Sequence, residues 1–119
     1  MEKYMLLFRN TTATESAYQE MSPEAMQAEL DKWNSWIGGI AAQGKLVGAE
    51  ALEQEGKVVS GSKHVVTDGP FVESKELVSG YLVLQASSFE EAIELSKGCP
   101  IYEIEGRVEV RAIQVFNQA

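Results

Sequence analysis

Along the chain the apolar positions change period, and each change marks an element. Tyr4-Met5-Leu6-Leu7-Phe8 is a continuous apolar run between Lys3 and Arg9, too short for a helix, and predicts a central strand covered on both faces. Asn10 to Met21 is rich in Thr, Ser and Glu without a sustained period; it predicts a loop, either a cover for a site or a surface excursion. From Ser22-Pro23-Glu24 the period becomes helical. Ser22 suits the N-cap, Pro23 the first turn where its missing N–H costs nothing, and Glu24 the positive end of the helix dipole. Met26, Leu30, Trp33, Ile37, Ile40 and Ala41 then recur at spacings of three and four, which predicts one helix running to Gly44 with a face laid on a sheet. Gly38-Gly39 interrupts it, either to admit a neighbouring backbone or as a weak spot near the helix end.

Leu46 to Leu52 predicts a second strand, Lys57–Val59 and His64–Thr67 a hairpin about Ser60-Gly61-Ser62-Lys63, and Gly80 to Ala86 a further strand. Counting the hairpin, the sheet has more than four strands. Ser87 or Ser88 starts a second helix, with Glu90 and Glu91 each placed for a capping box. Phe89, Ala92, Ile93 and Ser96 form its buried face, and Gly98 and Pro100 stop it. Arg107 to Phe116 predicts a last strand with Val108, Val110 and Ala112 on one face and Glu109, Arg111, Ile113 and Val115 on the other. The order β-α-β-(hairpin)-β-α-β is the split βαβ of the α+β, ferredoxin-like class, an antiparallel sheet with two helices on one face. Two helices cover only that face, yet Tyr4/Leu6/Phe8 and Met5/Leu7 are both apolar, as are Leu82/Leu84 and Tyr81/Val83. The second face predicts a homodimer packed sheet on sheet, with Leu84 expected at the interface.

Composition narrows the partners. At 119 residues the chain predicts one domain, 1–119, burying roughly two-thirds of its unfolded surface. Ten basic against 18 acidic residues leave a net charge of −8 with no basic stripe, which argues against nucleic acid and favours neutral or cationic ligands or a second copy. The single cysteine, Cys99, excludes an intrachain disulfide. No signal pattern and no run of about 18 apolar residues is present, so the expected setting is cytoplasmic, with no membrane. One histidine and one cysteine give no soft ligand set for zinc, and nothing supports another metal or a cofactor.

Candidate chemistry concentrates in Val66-Thr67-Asp68-Gly69-Pro70-Phe71-Val72-Glu73-Ser74-Lys75-Glu76. Gly69 permits positive φ, and Pro70 pins its own φ while keeping Gly69 out of the right-handed helical region, so the segment predicts a bend that aims side chains. Asp68 reads two ways: a general base or ligand anchor at the lip of a cleft, or an Asx-turn residue satisfying backbone N–H groups. Glu73, Lys75 and Glu76 are candidates to orient a polar ligand or to pair with Arg111, a solvated loop being the alternative. Trp36, beside Trp33, reads either as a pocket wall or as an aromatic at the core's edge. His64 lies roughly 13 Å from Asp68 along a strand, too far for a dyad. Cys99 reads as a small buried residue.

The ordered set Asp68-Gly69-Pro70-Phe71, Glu73, Lys75, Glu76 and Gly80-Tyr81 resembles the signature of the YCII-related family, in particular its DGPF-domain branch. Lys3 to Leu7, Ser87 to Ala92, Pro100, and Gly106 to Arg111 are similar to the family's pattern as well, so the resemblance covers nearly the whole chain. Ala112 stands where that pattern usually has proline, and no histidine stands early in the chain where the broader group carries one. The resemblance implies a dimeric α+β barrel type of domain joined through its sheets, mostly of unassigned activity, with a few relatives linked to small cyclic organic substrates. Two functions follow. One is a homodimeric small-molecule-binding or regulatory module with a cleft near Asp68. The alternative is a cofactor-free enzyme doing proton-transfer or elimination chemistry on a small polar or cyclic organic substrate, with Asp68 as base and Arg111 or Lys75 holding negative charge. The lack of a second well-placed acid, base or nucleophile favours the first.

Overall fold

The computed structural model describes residues 1–69 and 76–116, with Glu76 as backbone only. Strand β1 (Glu2–Thr11) is central and antiparallel on both sides, to β5 (Glu76–Ala86) and to β6 (Arg107–Ala112). Strand β2 (Leu46–Ala51) closes the far edge against β5, giving the order β2-β5-β1-β6. Helices α2 (Pro23–Ala42) and α3 (Phe89–Ser96) make the two crossovers, so the fold is the α+β split βαβ expected of the sequence. Alternation along β1 sends Tyr4, Leu6, Phe8 and Asn10 beneath the helices and leaves Met5, Leu7 and Arg9 half-buried on the opposite face. Leu82, Leu84, Ile40 and Ile101 complete the core. Gly80 is required where β2 meets β5, since a Cβ there would lie 2.6 Å from the Glu50 carbonyl oxygen. Among the described residues no helix is long and apolar enough to cross a membrane.

The hairpin stands apart from this sheet instead of extending it. Strands β3 (Gly56–Ser60) and β4 (Val65–Gly69) pair only with each other, Lys57 opposite Asp68 and Val59 opposite Val66. Val59, Val65 and Val66 are each more than half exposed. His64 is a turn residue with φ of 55°, not a strand member, so its spacing to Asp68 is not that of an extended strand. The Cα atoms span 50 × 40 × 18 Å with a radius of gyration of 16.2 Å, against about 13.5 Å for a compact chain of this length. A projecting arm on a thin, two-layer body accounts for the excess.

Several expectations are corrected. Asn10–Met21 is not a loop: Asn10 and Thr11 finish β1, and Thr12–Glu20 forms helix α1. Thr11 caps it, accepting from the Thr14 amide at 3.2 Å while the Thr14 hydroxyl accepts from the Thr11 amide at 3.1 Å. Glu91 likewise departs from a capping box: Ser88 is the N-cap of α3, but the Glu91 carboxylate turns back to the Ser87 amide at 3.2 Å. Phe89 and Ile93 are 41 % and 38 % exposed, because α3 settles on its small residues Ala92 and Ser96 and rolls the large ones outward. Strand β6 ends at Ala112, opposite Tyr4 and short of the expected Phe116; beyond it Ile113 N–H still donates to the Lys3 carbonyl at 3.0 Å. Leu84 is fully buried under the helices, so the open face carries Tyr81 and Val83 instead. Gly38 and Gly39 meet open space, with no backbone approaching them.

Candidate functional site

Helix α2 does not lie evenly on the sheet. Ile40 is 2 % exposed and Leu30 49 %, so the helix closes onto the strands toward its C-terminus and stands off near its start. The gap is a cleft of about 840 Å³. Met26, Glu29, Leu30, Trp33 and Ile37 roof it, while Phe8, Asn10, Ala49 and Ser79 form its floor. Glu15 and Tyr18 of α1, and residues 52–58 with Gly69 of the hairpin, wall its sides and meet where Gln54 bonds Glu15. The Trp33 ring meets Phe8 edge-on at 5.0 Å and Trp36 at 5.9 Å, which fixes the roof to the floor through aromatic contact.

Polar groups converge on the α1 side. Asn10 is buried, donates through Nδ2 to Glu15 Oε1 at 2.8 Å, and accepts through Oδ1 from the Ser79 hydroxyl at 3.0 Å. Gln54 donates to the second Glu15 oxygen at 2.6 Å. Glu29 is buried on the same face, with Oε1 lacking any hydrogen-bond partner among the described residues. Burial first, and then the charge of Glu29, push the Tyr18 phenol up to about 12. Behind it the Cys99 thiol is pushed up to about 12, again by burial, with Glu29 adding to the effect and a hydrogen bond from the Ile101 backbone opposing it. Among the described residues no three His, Cys, Asp or Glu side chains gather as a metal-binding set.

The residues singled out from the sequence are dispersed. Asp68 sits on β4 with its side chain 88 % exposed and ion-paired to Lys57 across the hairpin, outside the cleft. Trp36 backs the cleft without lining it: its indole Nε1 donates to the Leu95 carbonyl at 2.9 Å, tying α2 to α3, and its ring leaves room only for glycine at Gly98. Arg111 lies on the uncovered sheet face, 3.8 Å from Glu109 and apart from both. Glu73 and Lys75 fall outside the described residues, as does the side chain of Glu76. Glu29, Tyr18 and Asn10 carried signals of their own. Glu29 falls in helical register between Met26 and Trp33, and Asn10 continues the Tyr4-Leu6-Phe8 alternation, so each is a polar residue at an apolar position.

A split βαβ sheet roofed by a tilted helix, with a mostly apolar cleft beneath it, defines the structural class. The chain belongs to the YCII-related domain family, whose model matches residues 3–117. No curated protein matches the chain.

Proposed function

We propose that the chain is a homodimeric small-molecule-binding module of the DGPF branch of its family, its ligand held beneath α2. The observation that carries this is the cleft itself: about 840 Å³ of aromatic and aliphatic wall with a few polar groups converging on one side, within the roughly 300–1,000 Å³ usual for ligand sites. Asp68, Glu73, Lys75 and Glu76 enter as rim contacts, because Gly69, which lines the hairpin side, directly follows Asp68. Trp36 enters as the support behind Trp33, and Arg111 as a charge at the dimer face. The branch is assigned on Asp68-Gly69-Pro70-Phe71 itself. A cytoplasmic setting fits the lone thiol of Cys99. Support for the dimer lies in the half-buried Met5, Leu7, Tyr81 and Val83 on a sheet face that no helix covers among the described residues. The enzyme alternative has no observation in its favour, since the Asp68 carboxylate is solvated and engaged by Lys57.

Tryptophan emission tests the reading, because Trp33 lines the cleft and Trp36 does not. A mixed small-molecule library is expected to yield ligands that change the emission of the wild type and of Trp36→Phe but not of Trp33→Phe. Hits whose amide shifts all map away from the cleft overturn it.

A further inference from the structure

Within that cleft one group is unfinished. The Glu29 side chain is 7 % exposed, and its Oε1 is the only fully buried side-chain nitrogen or oxygen without a hydrogen bond among the described residues. Its Oε2 lies 4.0 Å from Lys32 Nζ, beyond hydrogen-bond reach, and that ammonium is already 3.2 Å from Glu103 at the surface. Asn10 is engaged with Glu15 and Ser79, and Glu15 with Gln54, while the Tyr18 phenol, close enough to feel the Glu29 charge, leaves Oε1 without a hydrogen bond. A carboxylate oxygen buried with no donor is destabilising. The fold has no need of it, for a Leu or Met at position 29 would continue the Met26–Trp33 stripe without that cost. What is missing is a donor, and Glu29 is among the residues that line the cleft.

The surroundings decide the donor's charge. Of the charged residues that line the cleft among those described, five are glutamates, Glu15, Glu29, Glu50, Glu53 and Glu55, and one is a lysine, Lys57, which is itself held by Asp68. An anion is repelled there. A neutral hydroxyl satisfies Oε1 but leaves the charge facing only Lys32, which is closer to Glu103, whereas an ammonium supplies both a donor and a charge and finds aromatic faces nearby. Resting on the small-molecule reading of the cleft, we infer that the site takes an organic cation: a protonated amine bound at Glu29 Oε1, carrying an aromatic or aliphatic body that lies along Trp33 and Met26.

The test uses the full chain and three probes that share a phenethyl body: phenethylamine, phenethyl alcohol and 3-phenylpropionate. They are titrated into wild type, Glu29→Gln and Glu29→Leu, and read by amide chemical shift and by melting temperature. The amine is expected to bind at least about tenfold tighter than the alcohol, and the propionate not at all. Both variants should lose that preference while melting at or above the wild type, since the unpartnered carboxylate is gone. Should either variant fail to fold, the ranking of the three probes on the wild type decides alone. Alcohol or propionate binding as tightly as the amine, or Glu29→Gln retaining the preference, overturns the cation assignment and leaves the cleft's binding function standing. A cleft that responds to none of the probes but does bind library compounds has the same consequence; one that responds to nothing overturns both readings.

Discussion

Tyr18, Cys99 and Glu29 share one neighbourhood, and its electrostatics are open to titration. The Tyr18 phenol, pushed up to about 12 by burial and by Glu29, has a folded-state pKa above its ordinary 10.0. Its contribution to stability is therefore intact below pH 10 and is lost as pH rises through the folded value, because the unfolded chain ionises first. Phenolate absorbance should show a late step that Tyr18→Phe diminishes; a late step that the substitution leaves unchanged refutes the buried assignment. Cys99, also pushed up to about 12, should stay unreactive toward a thiol reagent at pH 8 until the protein is denatured. Asp68 carries the opposite expectation. Its pair with Lys57 is solvent-exposed, so Asp68→Ala should change stability by less than about 1 kcal/mol, and a larger loss in chemical denaturation would show that the carboxylate does more than pair with Lys57. The Gly-Pro bend made Asp68 conspicuous in the sequence, while Glu29 hid inside a helical stripe where only its polarity was out of place.

Helix α1 shows how a short element escapes a reading by periodicity. Thr12–Glu20 mixes Ala, Gln and Glu with Thr, Ser and Tyr, and at nine residues it is too short to be stable on propensity alone. Its stability comes from the cap and from contacts distant in sequence: Thr14 is fully buried, and the Thr11 hydroxyl also lies 3.2 Å from the Glu105 carbonyl. The cap itself was readable in Thr11 and Thr14; the contact with Glu105 was not, since it joins residues far apart in the chain. Thr11→Ala should cost about 0.5–2 kcal/mol and, because α1 carries Glu15 and Tyr18 into the cleft, weaken any ligand there. Hydrogen exchange at the α1 amides that stays as slow as in wild type would argue against this. Helix α3 carries a pH signature of its own. The Ser87 backbone N–H, and after it Lys45, hold Glu91 below the ordinary carboxylate value of 4.5, so its contribution is present above that value and lost as pH falls through the depressed one. Glu91→Gln should lower the melting temperature at pH 7, with the difference from wild type vanishing under acid conditions. Both ends of the long helix α2 were legible from Ser22-Pro23 and Gly44, but the tilt that opens the cleft was not, because a stripe of apolar residues fixes which face turns inward and leaves open how closely each turn approaches.

A body 18 Å in its thin dimension has room for one sheet and one layer of helices. The uncovered face is not merely apolar. Met5 and Leu7 lie beside Val83 and Tyr81, and along one flank Glu109 accepts from Arg9 Nε at 3.0 Å and sits 3.8 Å from Arg111, so both signs of charge border the patch. A surface holding an apolar centre and both charges can pair with its own copy about a two-fold axis, and the exposed valines of the hairpin arm supply further surface in need of cover. Alternation along β1 and β5 made the two apolar faces evident in the sequence, yet a period of two does not say which set meets the helices, and for that reason Leu84 was assigned to the wrong side. The two substitutions now separate cleanly. Val83→Lys should convert a species of about twice 13.1 kDa into a folded monomer by light scattering. Leu84→Lys should unfold the chain outright, because it places a charge in the core beneath α2 and α3. If wild type is already a monomer at micromolar concentration, or if Val83→Lys leaves the dimer intact, the open face is not the surface through which the copies meet.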